Sequence, residues 1–134
     1  PTPMENTMKS PEQSRISQSH EWFVNHAGDV TMGITQFAAN ELTDVTYVQT
    51  KPVGTVIAIG DVVGEVESVK TTSEIYCAVA GTITAVNDAA VKDPSLLNSD
   101  PFGKGWLVKL KVSDVSPLSK LMDAATYDSK HVVH

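Results

Sequence analysis

The sequence predicts a mainly β fold, a flattened β-sandwich or hybrid barrel with short helices at its periphery, including C-terminal helices. Apolar and polar residues alternate on both sides of Lys70, over residues 60–69 and 74–87. The same alternation returns over residues 105–112, where it is strict. Alternation with a period of two is typical of half-buried strands, whereas the helical patterns in this chain are short.

The first predicted elements are a hairpin and a helix. Residues 20–24 and 30–34 alternate on either side of residues 25–29, where Asn, Gly and Asp predict a turn. Thr35 is placed to cap a short helix over residues 36–42.

The middle of the chain is predicted to be strand-rich. Further strands are expected over residues 45–49 and 55–59. Residues 60–69 and 74–86 have similar lengths and patterns, and each is interpreted as a strand pair that turns at a glycine, Gly64 or Gly81. This similarity suggests two quasi-equivalent halves with Lys70 at their junction.

The chain is predicted to end in short helices. Ser116 followed by Pro117 is a typical helix start, and Asp123 can cap a second short helix that runs to Tyr127.

Residues 1–18 are predicted to be a flexible tail. They are rich in Ser, Pro, Glu, Gln and Asn and have almost no apolar content, so they bury too little surface to offset their ordering entropy. Residues 19–134 are then predicted to form a single domain.

Composition excludes several classes of protein. A formal net charge of −6 argues against a nucleic-acid partner, because such binding depends on neutralising phosphates. There is no apolar run of about 18 residues, so no membrane partner is expected. Cys77 is the single cysteine, which excludes an internal disulfide, and its place in an alternating segment favours a buried filler. The four histidines lack the spacing of a metal site.

Lys70 is the candidate functional residue. At the join of two strands it would project into water at the tip of a hairpin, where its amine is open to a modifying enzyme. A lysine in a turn is usually only a solvated charge, so the surrounding residues decide between the two interpretations.

Those residues resemble a known family. The segment Gly64-Glu-Val-Glu-Ser-Val-Lys-Thr-Thr-Ser-Glu-Ile-Tyr76 resembles the lipoylation segment of the H protein of the glycine cleavage system. Four further motifs resemble the same family in the same order: His20-Glu-Trp22, Met32-Gly-Ile-Thr35, residues 98–106 and residues 121–127. The resemblance therefore covers roughly residues 19–127.

The resemblance implies that lipoate is attached to Lys70, with Glu67 and Glu74 as the acidic flanks of the modified lysine. Biotin carriers use a similar hairpin but usually place methionine on both sides of the lysine, whereas Val69 and Thr71 stand here. Carrier domains of 2-oxo acid dehydrogenases tend to have Asp before the lysine and lack the N-terminal His-Glu-Trp motif.

The resemblance also implies a carrier that catalyses no step itself. It would shuttle an aminomethyl group and electrons between glycine decarboxylase (P protein), the folate-dependent aminomethyltransferase (T protein) and dihydrolipoyl dehydrogenase (L protein). A lipoate ligase or lipoyltransferase would load it. The expected compartment is the cytoplasm for a bacterial chain, with the mitochondrial matrix as the alternative.

By position, the family's cleft for the loaded arm would include Ser19, Glu21 and Glu74, whose carboxylates could pair with the aminomethyl ammonium. The competing interpretation of Glu21 is a solubilising charge at a strand edge. Three residues depart from the family's pattern and bear on the shape of the cleft. They are Glu41, Thr43 where the family often has Gly, and Phe37 where a polar residue or His is common.

Two alternatives to the glycine-cleavage shuttle stay open. One is an H-like protein that serves as lipoyl donor in a relay to other lipoyl proteins. The other is a structural β-sandwich in which Lys70 is unmodified.

Overall fold

The strands form two antiparallel sheets in a computed structural model that describes residues 10–131. The strands of this part of the chain are β1 (Arg15–Ile16), β2 (Glu21–His26), β3 (Asp29–Ile34), β4 (Val45–Thr50), β5 (Val56–Ile57), β6 (Val62–Ser68), β7 (Thr72–Tyr76), β8 (Gly81–Val86), β9 (Val108–Lys111) and β10 (Met122–Asp123). The helices are α1 (Gln36–Leu42), α2 (Asp88–Lys92), α3 (Leu96–Ser99) and α4 (Ala124–Lys130), with a 3₁₀ helix over Ser116–Lys120.

The larger sheet has seven strands in the order β10-β1-β2-β3-β9-β8-β5, and the smaller has three in the order β4-β6-β7. Within residues 10–131 the two sheets do not join into a closed barrel. Buried side chains from both sheets, among them Phe23, Val66 and Leu110, form one hydrophobic cluster. The predicted fold class, mainly β with short peripheral helices, is confirmed.

The predicted first hairpin and helix are confirmed. Strands β2 and β3 pair from Glu21 opposite Ile34 to His26 opposite Asp29. The Thr35 side chain accepts a hydrogen bond from the backbone N–H of Ala38 at 3.1 Å and so caps α1. At the other end of the chain, the Asp123 carboxylate caps α4.

The prediction of a flexible tail over residues 1–18 is wrong for the residues that the structure describes. Residues 1–9 lie outside the described residues, but Arg15–Ile16 is β1, which is hydrogen-bonded between β10 and β2. Ile16 is fully buried against Trp22 and Tyr127. One large apolar side chain and two neighbouring strands are enough to order a segment whose composition is polar.

The prediction of a strand pair that turns at Gly64 is wrong, and with it the equivalence of the two segments, whereas residues 74–86 do divide into two strands, β7 and β8. Gly64 lies inside the single strand β6, and Gly81 begins β8. A register shift between Val62 and Gly64 in the pairing with β7 changes which side chains face inward, so that Val63 is buried. Val69, which precedes Lys70, is 70% exposed.

A cluster of aromatic and histidine side chains packs the C-terminal helix α4 against the residue that precedes β2. The Nδ1 atom of His20 lies 2.7 Å from the Tyr127 hydroxyl, which is 2.8 Å from Thr35 Oγ1. The His131 ring stacks on Tyr127 at 4.4 Å and lies 4.9 Å from His20, and Phe37 closes the cluster. Burial lowers the pKa of His20, His131 adds to this effect, and Glu41 opposes it.

Because the pKa of His20 is lowered in the folded protein, the unfolded chain binds a proton at this side chain more readily. We therefore expect the free energy of unfolding to fall as the pH drops below about 6.5, the usual histidine value, and this contribution to be absent above it. In His20→Asn the free energy of unfolding, measured with denaturant, should depend less steeply on pH across this range, because Asn does not titrate. Asn is chosen because it tolerates the positive φ of 73° at this position. Wild type measured in the same buffers is the reference. An unchanged slope in His20→Asn would contradict the assignment.

Candidate functional site

Lys70 lies at the tip of the β6–β7 hairpin, as predicted. The last paired residues are Glu67 and Thr72, and the Ser68 N–H donates to the Thr71 carbonyl at 2.8 Å. Ser68 Oγ accepts hydrogen bonds from the backbone N–H groups of both Lys70 and Thr71 at 3.2 Å. The backbone of the tip is therefore held by one serine, while the Lys70 side chain is exposed.

The acidic flanks occupy one face of the three-stranded sheet. Glu67 is opposite Thr72, and Glu65 is opposite Glu74. Because side chains alternate along a strand, Glu65, Glu67 and Glu74 share the face that leads to the tip. Sequence analysis did not identify Glu65, although its spacing of two residues from Glu67 was the available signal.

Glu21 is not a solubilising charge at a strand edge, because only 1% of its surface is exposed. Its Oε1 atom accepts hydrogen bonds from the hydroxyls of Ser17 and Ser19. Its Oε2 atom accepts a hydrogen bond from the backbone N–H of Tyr76 at 3.0 Å. The carboxylate thus connects β2 of the larger sheet to the end of β7 in the smaller one.

Of the three residues expected in the arm cleft, Ser19 and Glu21 contact each other directly, and Glu74 is linked to them only through Tyr76. Ser19 is exposed and bonded to Glu21, and Glu21 is bonded to the backbone of Tyr76. The Tyr76 hydroxyl in turn donates a long hydrogen bond of 3.4 Å to Oε1 of the exposed Glu74. Tyr76 was not predicted, because its contact with Glu21 joins residues 55 positions apart. Ser17 was not predicted either, although it lies only four positions from Glu21.

The three departures from the family fall in and after α1. Glu41 is exposed, and the half-buried Phe37 packs on the His20 ring at 4.9 Å. Thr43 ends the helix with φ 64° and ψ −144°. Glycine adopts this conformation readily and threonine does not, so Thr43 departs from the expected Gly where the backbone favours glycine.

Two further observations concern residues 10–131. Within them, no helix is long and apolar enough to cross a membrane. No group of three or more His, Cys, Asp or Glu side chains in that part of the chain is arranged to hold a metal ion. Cys77 is buried as predicted, and burial raises the pKa of its thiol to about 11.

Two β-sheets that present an exposed lysine on a hairpin tip are the arrangement expected of a carrier-type domain. Residues 14–133 match the family described as glycine cleavage H-protein. Similar proteins named glycine cleavage system H protein occur in Thermus thermophilus, with 44% identity over 90% of this chain and 94% of the relative, and in Micrococcus luteus, with 46% identity over 89% and 94%.

A solved structure gives the same result. The crystal structure of a glycine cleavage system H protein from Mycobacterium marinum superposes with a TM-score of 0.82 at 35% identity, covering 92% of this chain and all of that one. The chain belongs to the glycine cleavage H-protein family, a family of lipoyl carrier components of the glycine cleavage system.

Proposed function

We propose that this chain carries lipoate on Lys70 and shuttles an aminomethyl group and electrons between the components of the glycine cleavage system. The observation that carries the proposal is the exposed Lys70 at the tip of the β6–β7 hairpin in a chain of this family. When attached, lipoate supplies a long neutral arm that ends in a dithiolane able to take up the group and the electrons.

The residues at the tip fit such a modification. The hydrogen bonds described at the tip are made by its backbone and by Ser68, so converting the lysine amine into an amide breaks none of them. The exposed side chain projects from a short loop between two paired strands, which limits the positions that its amine samples. A ligase would therefore find an accessible amine on a hairpin tip whose backbone is ordered.

The proposed partners are the decarboxylase, the aminomethyltransferase and the dihydrolipoyl dehydrogenase, together with a lipoate ligase or lipoyltransferase. The acidic face formed by Glu65, Glu67 and Glu74 adjoins Lys70 and would meet basic surfaces on these partners. Surface charge of this kind acts mainly on the rate of encounter, so we assign Glu67 and Glu74 to recognition rather than to stability.

The aminomethyl group carries a primary ammonium, and the cleft of Ser19, Glu21 and Glu74 supplies carboxylates for it. Glu74 is exposed and has one long hydrogen bond, so its oxygens are open to a new donor. Glu21 is buried and already accepts three hydrogen bonds, so the ammonium would have to displace a serine hydroxyl to reach it. Glu74 is therefore the direct contact that we propose, and Glu21 chiefly holds Tyr76 and Ser19 in place.

We expect Glu74→Gln to shorten the lifetime of the aminomethyl-loaded protein while the rate of lipoylation changes less. An exposed ion pair contributes about 0.2–1 kcal/mol, which corresponds to roughly 1.5- to 5-fold faster loss of ammonia and formaldehyde. The measurement is the decay of loaded wild type, Glu74→Gln and Glu21→Gln in the same buffer. Glu12→Gln, at an exposed carboxylate outside the cleft, is the control. Equal decay in all four proteins would remove the cleft assignment and leave that of Lys70.

The test of the proposed function is reconstitution with the three partner enzymes, a lipoate ligase with lipoate and ATP, glycine, tetrahydrofolate and an electron acceptor with which the dehydrogenase reoxidises the dithiol. Glycine-dependent transfer of the one-carbon unit to folate should require this chain and should require its prior lipoylation. Transfer at the same rate without the chain, or with the unmodified chain, would contradict the proposal. The relay alternative predicts instead that the lipoyl group appears on a second acceptor protein while one-carbon transfer stays at background.

A further inference from the structure

Asn98 connects three segments near the hairpin tip through its side-chain amide. Its Oδ1 atom accepts a hydrogen bond from the N–H of Val45, the first residue of β4, at 2.9 Å. Its Nδ2 atom donates to the Thr43 carbonyl at 2.7 Å and, more weakly, to the Ala39 carbonyl at 3.4 Å. The side chain therefore bridges the end of α1 and the start of β4 with both halves of its amide.

The segment that Asn98 holds is strained. Thr43 has φ 64° and ψ −144°, a backbone conformation that costs a side-chain-bearing residue energy and persists only where its surroundings impose it. Two hydrogen bonds on either side of Asp44 are contacts of that kind: Asn98 Nδ2 donates to the Thr43 carbonyl, and Asn98 Oδ1 accepts from the Val45 N–H.

Asp44 connects this segment to the tip. Its carbonyl accepts a hydrogen bond from the N–H of Val69, the neighbour of Lys70, at 3.3 Å. Strand β4 also pairs with β6 at this point, since Val45 lies opposite Ser68. Ser68 therefore makes the hydrogen bonds within the tip, and the carbonyl of Asp44, the residue that precedes β4, accepts a hydrogen bond from it. The position of that carbonyl depends on the neighbouring residues Thr43 and Val45.

We propose that Asn98 is a positioning residue for the lysine-bearing loop and acts on it through Thr43, Asp44 and Val69. Its amide keeps Thr43 in a strained conformation and so places the Asp44 carbonyl where the Val69 N–H can donate to it. The effect is to restrict the backbone on which Lys70 is presented to a modifying enzyme. The inference rests on the proposed function for its consequence, lipoylation, but its structural part stands without it.

The decisive variant is Asn98→Asp in the full chain. It keeps the shape and the acceptor for Val45, but it replaces the donor with a second oxygen that faces the Thr43 and Ala39 carbonyls. Asn87→Asp is the matched control, because Asn87 also donates through Nδ2 to two carbonyls, those of Lys104 and Trp106, and neither contact leads to the tip. Asn98→Ala is the milder companion if the Asp variant does not fold.

Two measurements are made on each protein. Backbone order parameters of Val69, Lys70 and Thr71 from ¹⁵N relaxation report the loop directly. The kcat/KM for transfer of lipoate by a lipoate–protein ligase, with lipoate and ATP, reports presentation of the lysine. We expect Asn98→Asp to lower the order parameters and to reduce kcat/KM by about three- to tenfold, as for the loss of one hydrogen bond. Asn87→Asp should leave both at wild-type values.

The double variant Asn98→Asp/Thr43→Gly tests the route. Glycine adopts the conformation of residue 43 without strain but also leaves it freely, so the double variant is compared with Thr43→Gly alone. Asn98→Asp should lower order and kcat/KM less in the Thr43→Gly background than in the wild-type background. The proposal is overturned if Asn98→Asp matches wild type in both measurements, if Asn87→Asp is equally affected, or if the loss is the same in both backgrounds. If wild type takes up no lipoate, the proposed function fails, while the order parameters still decide whether Asn98 positions the loop.

Discussion

Lys70→Arg should abolish lipoylation and, with it, glycine-dependent one-carbon transfer. Arginine keeps the positive charge and the exposed position, but it has no primary amine that can form the amide with lipoate. Because Lys70 is exposed and its side chain is not needed to hold the tip, the free energy of unfolding should stay within about 0.5 kcal/mol of wild type. The measurements are intact mass after incubation with ligase, and one-carbon transfer in the reconstituted system.

Lys51→Arg is the matched control, since Lys51 is also an exposed lysine, next to the end of β4. It should be lipoylated and active like wild type. Lipoylation of Lys70→Arg at the wild-type rate would mean that another lysine carries the group, and transfer by unmodified Lys70→Arg would mean that no lipoyl arm is needed.

Deleting residues 1–18 should strongly destabilise the protein, in contrast to what the composition of this segment predicts. The deletion removes β1 from between β2 and β10 and exposes the cluster into which Ile16 packs. It also removes two hydrogen bonds from Ser10 to the Asp128 carboxylate on α4, at 2.7 and 3.1 Å. Loss of one buried Ile side chain costs about 2–5 kcal/mol, so we expect the melting temperature to fall by about 10 °C or more.

A shorter truncation isolates the part of the segment that the structure describes. Comparing deletion of residues 1–18 with deletion of residues 1–9 measures the contribution of residues 10–18 alone. Ile16→Ala in the full chain should reproduce a large share of the difference. If the melting temperatures of the two truncated proteins lay within a few degrees of each other, β1 would contribute little to stability. The prediction that residues 1–18 form a flexible tail would then describe the molecule better.

Local patterns predicted the elements that depend on local chemistry. The turn after β2 follows from Asn25, which accepts the Gly28 N–H, and the two helix starts follow from the side chains of Thr35 and Asp123. The position of Lys70 at a hairpin tip also followed from alternation on both sides of it. In each case the residues that determine the structure lie within a few positions of one another.

The features that sequence analysis missed depend on contacts between distant segments. Strand β1 is ordered by β2 and by β10, at opposite ends of the chain. The burial of Glu21 follows from its bond to Tyr76, which joins the two sheets. The register shift at Val62 exchanges inward and outward positions in a strand whose alternation is otherwise regular. A single sequence contains no local signal for any of these.

The residues of the candidate site also fall into two groups, those that the local sequence identifies and those whose contacts only the fold shows. The lysine and its acidic flanks form a contiguous segment, so the resemblance identified them from the sequence. The contacts of Asn98 with Thr43 and Val45 span more than fifty positions, and they are visible only in the fold. The sequence alone shows that Thr43 stands where Gly is expected. Its positive φ explains why this difference affects the backbone energy at that position.

The central claim is that Lys70 is the residue that carries lipoate. The most direct measurement is intact-mass and peptide mass spectrometry of the full chain after incubation with a lipoate–protein ligase, lipoate and ATP. We expect a gain of one lipoyl group per chain, located on Lys70, and no gain in Lys70→Arg. No gain of mass in wild type, or a lipoyl group located on a different lysine, would contradict it.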